Sequence, residues 1–398
     1  MPHASAASVD VLIAGAGPAG LALAIALARQ GLRITVLEQA PWAALAKPAE
    51  DGRDIALTHR SRRILEELGI WQRLPAAEIA PLRQAHVHDG GMPWPLQFDA
   101  RSDGHEALGW LVPNHRLREA AWAVAQHTPG VQVETQACVV RFEAQPAVAV
   151  LDTADGRRWQ APLVVAADSR FSALRRMAGL PARSLDFGRT AIVCRVAHTL
   201  PHQGIAHECF RYGLTLAMLP MAGLQSSAVL TVRQAEAAGW LDMDDQSFAA
   251  RLTEQFGPSL GGLHLAGQRH AYPLVAVQAL RLVGPRIALI GDAAVGMHPV
   301  TAHGFNFGLY GVQTLTRKVA AAFRACGDVG DARALQRYAA EHQRTTWPVY
   351  HGTNGVAQLF TDDRPAARAA RKAVLWLAQV LPPVRRAVTR QLTGATPA

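Results

Sequence analysis

Four short, dominantly apolar runs frame the chain: Val9–Ala14, Arg33–Leu37, Pro162–Ala167 and Arg286–Ile290. Each is too brief for a helix and predicts a buried strand. Between the first two, Pro18–Gln30 is rich in Ala and Leu and stops at Gly31, which predicts a helix. The chain therefore opens as strand–helix–strand. Ser61–Leu68 carries its apolar positions at helical spacing and ends at Gly69. Asp89-Gly90-Gly91 lies between extended segments over Pro81–Asp99, a hairpin signal. Asn114 is placed to cap a helix running toward His127. From Gly188 to Val232 apolar and polar residues alternate, with turns expected at Gly204, Gly213 and Gly223, the pattern of an antiparallel sheet. Ser247–Phe256 predicts a helix and His270–Val277 a strand, and helices dominate from Gly304 onward.

This order predicts an α/β chain (mixed α+β). A Rossmann-like dinucleotide-binding domain is assembled from discontinuous segments, an antiparallel β-sheet domain is inserted, and helices close the chain. The segments are 1–80, 101–182 and 276–330 for the dinucleotide domain, 81–100 for a hairpin of the inserted domain, 183–275 for its β-rich body, and 331–398 for the C-terminal helices.

Composition narrows the class. The chain has 398 residues, 49% hydrophobic and 18% charged, enough apolar material for more than one core. The net charge of +9 and the pI near 10.0 come almost wholly from arginine, since Lys47, Lys318 and Lys372 are the only lysines. With the abundant alanine, this reads as compositional bias, and no motif for nucleic acid is present. Cys138, Cys194, Cys209 and Cys326 lie far apart, without metal or redox spacing, and are expected to be buried or inert thiols in a reducing compartment. No His/Asp/Glu set has metal-ligand spacing either, so no metal is expected. Val9–Ala28 is too interrupted by glycine to be a signal peptide, and no stretch is long enough to span a bilayer. A cytoplasmic protein is expected, with peripheral docking at the inner face of the membrane left open.

Gly15-Ala16-Gly17-Pro18-Ala19-Gly20 is a GxGxxG motif between the first strand and the first helix, the context that gives it meaning. Gly15 permits the tight turn, Gly17 lets the backbone approach a pyrophosphate, and Gly20 lets helix and strand pack closely. Pro18 suits the first helical turn, and the phosphates would sit at the positive end of the helix. Glu38 ends the second strand, where its carboxylate can accept from both ribose hydroxyls and would repel a 2′-phosphate. The motif alone does not separate NAD from FAD.

Two later motifs do. Asp168-Ser169-Arg170-Phe171-Ser172-Ala173-Leu174-Arg175 follows the third buried strand. Gly291-Asp292-Ala293-Ala294 follows the fourth, with His298-Pro299 and Gly304-Phe305-Asn306 beyond it. Together they resemble the flavin-dependent aromatic hydroxylases of the para-hydroxybenzoate hydroxylase type, and within them the ubiquinone-biosynthesis hydroxylase branch, over nearly the whole chain. The resemblance implies that Asp168, Ser172 and Arg175 touch FAD and the nicotinamide donor. It implies that Gly291 and Asp292 hold the ribityl or phosphate region, and that Gly304, Phe305 and Asn306 start a helix aimed at the flavin pyrimidine ring. A helix N-terminus suits that place, because reduced flavin is negative around N1 and the C2 carbonyl. Arg53 and Arg116 match family positions near the flavin. The chain departs from the family at Ser169, where Gly is usual, and at Ala302 and His303, where Gly and Gln are usual.

The resemblance further implies FAD as cofactor and NAD(P)H as transient reductant. Dioxygen would be activated as a C4a-hydroperoxide, and the aromatic ring of a polyprenylated phenol or quinol hydroxylated, in a ubiquinone-biosynthesis complex for some members. His298, Pro299 and His303 are flavin-proximal candidates for a catalytic role. Three other readings stay open: hydroxylation of a soluble aromatic, a flavin-binding scaffold with little turnover, and a flavin-dependent prenyl reductase that transfers hydride to an alkene. Arg364, Arg368, Arg371, Lys372, Arg385, Arg386 and Arg390 surround apolar Val374-Leu375-Trp376-Leu377, so the C-terminal helices either meet an anionic membrane or pack on the core.

Overall fold

A computed structural model describes residues 9–90, 94–211, 213–298, 303–362, 364–380 and 393–394. Val11–Ala14 (β1) is wholly buried, turns into the helix Pro18–Ala28 (α1), and returns as Ile34–Leu37 (β2). Asp54–Leu57 (β3) leads into His59–Glu67 (α2). The hairpin strands Gln84–Asp89 (β4) and Leu96–Asp99 (β5) follow, then Gly109–Pro113 (β6), Asn114–Gln126 (α3) and Val131–Glu134 (β7). After a small antiparallel sheet within 139–161 comes the buried strand Leu163–Ala166 (β8). The middle of the chain runs through Ala182–His198 (β9), Ile205–Phe210 (β10), Thr215–Pro220 (β11), Gln225–Arg233 (β12), the helix Asp245–Phe256 (α4) and His270–Ala279 (β13). Ile287–Leu289 (β14) and Val295–Gly296 (β15) precede three helices, Gly304–Cys326 (α5), Ala332–Thr361 (α6) and Pro365–Val380 (α7).

These strands form two principal sheets. The first runs β14-β8-β1-β2-β7, with each of these neighbouring pairs parallel, and the two-residue strand Val283–Gly284 adds antiparallel at its β14 edge. A parallel sheet needs cover on its faces, so its strands read as continuous apolar runs rather than alternating ones. Helix α1 supplies part of that cover: Leu21, Leu23, Ile25 and Leu27 are at most 1% exposed, and the helix packs against α3 and α5. Burying one such leucine or isoleucine contributes about 1.5–3 kcal/mol.

The second sheet runs β15-β13-β9-β12-β11-β10-β4-β5. It is antiparallel except where β10 meets β4, a parallel pair that ties the early hairpin to the middle of the chain. One of its faces packs under α4 through Cys194, Cys209, Leu216, Met218 and Phe248. At the hairpin end the opposite face packs through Phe98 and Phe210 against Phe360 of α6 and Leu375 of α7. The alternation along Gly188–Val232 therefore marks two covers, not one wet and one dry side.

Local expectations were corrected in four places. Asn114 is the first residue of α3, not its cap, and Pro113 precedes it. The Asn114 amide N–H instead donates to the Asp51 carboxylate at 2.7 Å, a charge-assisted bond. Arg371 does not join a solvated basic face. It is fully buried, donates to the Phe360 carbonyl at 2.7 Å and lies 3.7 Å from Asp89. Arg385, Arg386 and Arg390 lie outside the described residues. Of the free cysteines, Cys194 and Cys209 are buried, but Cys138 and Cys326 are exposed. Finally, the large sheet brings His86, His88 and His207 together, a cluster that spacing along the chain does not show. Among the described residues no helix is long and apolar enough to cross a membrane.

Candidate cofactor-binding site

The C-terminal ends of β1, β2, β8 and β14 open on one side of the parallel sheet, where crevices of doubly wound folds take their ligands. Gly15 ends β1 with φ +109°, and a Cβ there would meet the Ala167 carbonyl oxygen at 2.5 Å. A Cβ on Gly20 would lie 2.0 Å from the Gly15 oxygen, so α1 can approach the turn only as glycine. Gly17 differs: a Cβ there would meet nothing within 4 Å. No side chain caps α1, whose first residue is Pro18, so the first-turn N–H groups face that open space without a side-chain partner. A helix start of this kind binds anions.

Glu38 closes the other wall. Its Oε2 accepts from Ala16 N–H at 2.7 Å and its Oε1 from Ala40 N–H at 2.9 Å. Each oxygen keeps further acceptor capacity for a hydroxyl.

The loop after β8 is tied back by Ala167 N–H, which donates to the Ala14 carbonyl at 2.8 Å. Ser169, the departure from glycine, does not carry a left-handed backbone: the only non-glycine residues with positive φ among the described ones are Gln136, Gln203 and Arg286. Ser172 is fully buried and caps the next helical turn by accepting from Arg175 N–H at 2.9 Å, while Asp168 Oδ2 accepts from Leu174 N–H at 3.4 Å. Arg175 turns inward. Its guanidinium donates to the carbonyls of Arg170 at 3.1 Å and Ala293 at 2.9 Å, which binds this loop to the next one. Burial pushes its pKa down, against the pull of Asp168. Arg170, which the sequence did not single out, donates to Asp292 Oδ2 at 3.1 Å and to the Val275 carbonyl at 2.9 Å, linking both loops to β13.

Gly291 makes the third turn with φ +58° and packs on Ala19. Helix α5 then begins at Gly304, with His303 before it and Phe305 half-buried after it. Asn306 is 1% exposed and spends its amide on the segment after β3, accepting from Thr58 N–H at 3.0 Å and donating to the Ala56 carbonyl at 2.9 Å. His298 is buried with its ring edge-on to Phe187 at 4.7 Å. Burial, aided by Arg170 and Arg189, pushes it down to about 4, so it is neutral at physiological pH. His303 is buried against Phe307 at 5.6 Å. Pro299 and Ala302 lie outside the described residues.

Arg53 belongs to a network that sequence reasoning missed. It donates to Asp51 Oδ2 at 2.6 Å, and its guanidinium lies 5.5 Å from the Tyr272 ring centroid. Tyr272 donates its hydroxyl to the Asp51 carbonyl at 2.6 Å, and Asn114 donates to the Asp51 carboxylate. Burial opposes ionisation of Asp51, yet the bonds from Arg53 and Asn114 outweigh it and hold the carboxyl below its ordinary range. The turn Asp51-Gly52-Arg53 signals only the local pairing of Arg53 with Asp51, not its distant partners. Arg116 is committed elsewhere, to Glu78 at 2.8 Å and Glu119 at 2.9 Å, and these carboxylates raise its pKa.

Residues 8–353 match a family described as the FAD binding domain. Over 97% of its length the chain is 41% identical to ubiquinone hydroxylase UbiM of Neisseria meningitidis serogroup C, covering 84% of that protein. It is 34% identical, again over 97%, to ubiquinone hydroxylase UbiL of Rhodospirillum rubrum, covering 89% of it. Its fold resembles that of p-nitrophenol 4-monooxygenase PnpA from Pseudomonas putida DLL-E4, with a TM-score of 0.78 and 17% identity over 97% of this chain and 98% of that one.

Proposed function

The chain belongs to the FAD binding domain family, and from that premise we propose that it is an FAD-dependent monooxygenase that hydroxylates the aromatic ring of a polyprenylated phenol or quinol in ubiquinone biosynthesis. The observation that carries the reading is the open space beside Gly17, set between a close-packed Gly15 and Gly20 at an uncapped helix start. A dinucleotide pyrophosphate needs that cradle, and the described residues fit it. Identity of 41% and 34% to two ubiquinone hydroxylases supports the substrate class.

In this reading Gly15, Gly17, Pro18, Ala19 and Gly20 hold the pyrophosphate, and Glu38 accepts from the ribose hydroxyls of the adenosine. Asp168, Gly291 and Asp292 line the middle of the cofactor, and the N-terminus of α5 at Gly304 and Phe305 faces its pyrimidine end. Bound there, the flavin supplies acceptance of hydride from NAD(P)H and activation of dioxygen. The protein's share is orientation and dryness. Ser172, Arg175 and Asn306 fix the three loops relative to one another through buried hydrogen bonds. Arg53, steered by Asp51 and Tyr272, sets a cation at the edge of the site, and neutral His298 offers a hydrogen-bonding group without adding charge. The substrate's own hydroxyl activates its ring, so no strong protein base is required.

A lipid-tailed substrate is reached from the bilayer surface. We assign that contact to α7, where Val374 and Leu377 are 45% and 44% exposed near exposed Lys372.

Deletion of the gene, with mass spectrometry of prenylated quinones and their precursors, tests the proposal. Accumulation of a prenylated ring lacking one hydroxyl-derived oxygen, with loss of the mature quinone, supports it. An unchanged quinone profile in a strain without a paralogue overturns it.

A further inference from the structure

Away from the crevice, β4 and β10 carry a three-histidine cluster on one face of the large sheet. His86 and His88 are two residues apart on β4, so strand alternation puts both on the same face. His207 of β10 stands beside His86 in the parallel register. Cys209, next but one along β10, packs in the core beneath α4, and Phe256 of α4 meets the His207 ring edge-on at 5.3 Å. The cluster therefore lies on the α4 side, opposite the face on which Val87 and Phe210 meet the C-terminal helices.

One ring nitrogen from each histidine lies within 4.8 Å of one from each of the others. His88 Nε2 and His207 Nδ1 are 3.2 Å apart. With metal–nitrogen bonds of about 2.0–2.1 Å, two imidazole ligands at a tetrahedral angle stand about 3.3 Å apart. The pair, hydrogen-bonded to each other, is at ligand spacing, and the third ring offers a nitrogen within 4.8 Å of both.

His86 is also oriented from behind. Gln84 donates its amide N–H to Asp99 Oδ2 at 2.8 Å, which leaves its Oε1 to accept from His86 Nε2 at 3.0 Å. That protonates Nε2 and leaves Nδ1 as the lone-pair atom of the ring. A ligating imidazole usually donates its other ring N–H to an acceptor, here an amide oxygen whose own amide N–H is held by a carboxylate.

We propose that His86, His88 and His207 form a binding site for a first-row divalent transition cation, with zinc as its occupant. Three imidazoles without a carboxylate favour such a cation over magnesium or calcium, which prefer oxygen ligands. Bound there, the ion bridges β4 to β10, the parallel pair through which the early hairpin joins the sheet. Its role is to fasten that hairpin, not to take part in ring hydroxylation.

The test uses the untagged, FAD-loaded full chain after dialysis against a chelator. Zinc at micromolar concentration is expected to bind one ion per chain by elemental mass spectrometry. It should raise the thermal midpoint by about 3 °C when free zinc stands about 100-fold above its dissociation constant, whereas magnesium has no effect. Cobalt is expected to give a visible ligand-field band that zinc displaces. In His88→Gln and in His86→Gln the stoichiometry falls to near zero and the cobalt band is lost, with FAD content unchanged. Retention of bound zinc in both variants, or failure of the unaltered chain to bind zinc or cobalt, overturns the proposal. Should one variant fold poorly, the other variant and the cobalt spectrum of the unaltered chain still decide.

Discussion

The side chain of Asn306 holds Thr58 from 248 residues away, accepting from its N–H at 3.0 Å, and the same amide donates to the Ala56 carbonyl. The Thr58 bond is buried and the Ala56 bond part-buried. Asn306→Ala is therefore expected to lower unfolding free energy by about 1–3 kcal/mol, the cost of one buried group left unsatisfied. Flavin retention should fall with it, because the start of α5 loses its anchor on β3. Denaturant unfolding and the flavin-to-protein absorbance ratio measure the two effects, and unchanged stability would refute the anchoring role.

Gly17 and Gly20 make a matched pair of opposites. Gly17→Ala meets no protein atom within 4 Å and has φ −68°, which alanine adopts freely. It should fold with a loss under about 1 kcal/mol yet purify with little FAD. Gly20→Ala drives a methyl to 2.0 Å from the Gly15 oxygen and should fail to fold. Circular dichroism melts with flavin content read both; a Gly17→Ala protein that keeps full FAD would contradict the crevice assignment.

Glu38 receives two backbone N–H groups and, in the proposed complex, ribose hydroxyls. Hydrogen bonds to a charged acceptor contribute about 1.5–3 kcal/mol each, so Glu38→Ala is expected to weaken FAD binding roughly 10- to 100-fold. Titration of apoprotein by flavin fluorescence gives the constant directly. An unaltered affinity would place the adenosine elsewhere.

His342 of α6 is buried against Tyr338, and burial, with Arg60 nearby, pushes its pKa down to about 4 from the ordinary 6.5. Between these values the unfolded chain binds the proton and the folded chain does not. Stability therefore rises as pH increases from about 4 to 6.5 and is lost on acidification, by up to about 1.4 kcal/mol per pH unit from this residue. His342→Gln should flatten that slope in denaturant unfolding at pH 4.5, 5.5 and 6.5 by roughly one proton; an identical slope would show that the ring is not buried neutral.

What the sequence revealed and what it hid divide along a physical line. Gly15, Gly17 and Gly20 were legible because their roles are backbone roles within six consecutive residues, between a strand and a helix that the apolar pattern also marks. The β-rich insertion was legible from alternation. The Asp51 network was not: Asn114 and Tyr272 reach it across 63 and 221 residues, and no local pattern encodes that meeting. Arg116 and Arg175 show the opposite error in emphasis. A motif names a residue, but only the fold shows that one guanidinium is committed to two glutamates and the other to buried carbonyls. Arg371 was grouped with surface arginines because composition cannot distinguish a snorkelling cation from one facing Asp89. The His86 and His88 pair was readable as same-face strand neighbours, whereas its third member comes from 119 residues beyond His88.

The parallel sheet has a consequence for the timing of synthesis. β14 lies beside β8 but begins only at Ile287, and α5, which packs on α1, starts later still at Gly304. A nascent chain on the ribosome thus exposes the apolar flanks of β8 and α1 long after its glycine turn has been translated. It cannot close the crevice until most of its length has emerged. Cofactor capture is then a late event, possible only once α5 has docked on α1, and flavin-starved cells should hold this protein as a folded but less stable empty form, lacking the stabilisation that bound flavin adds.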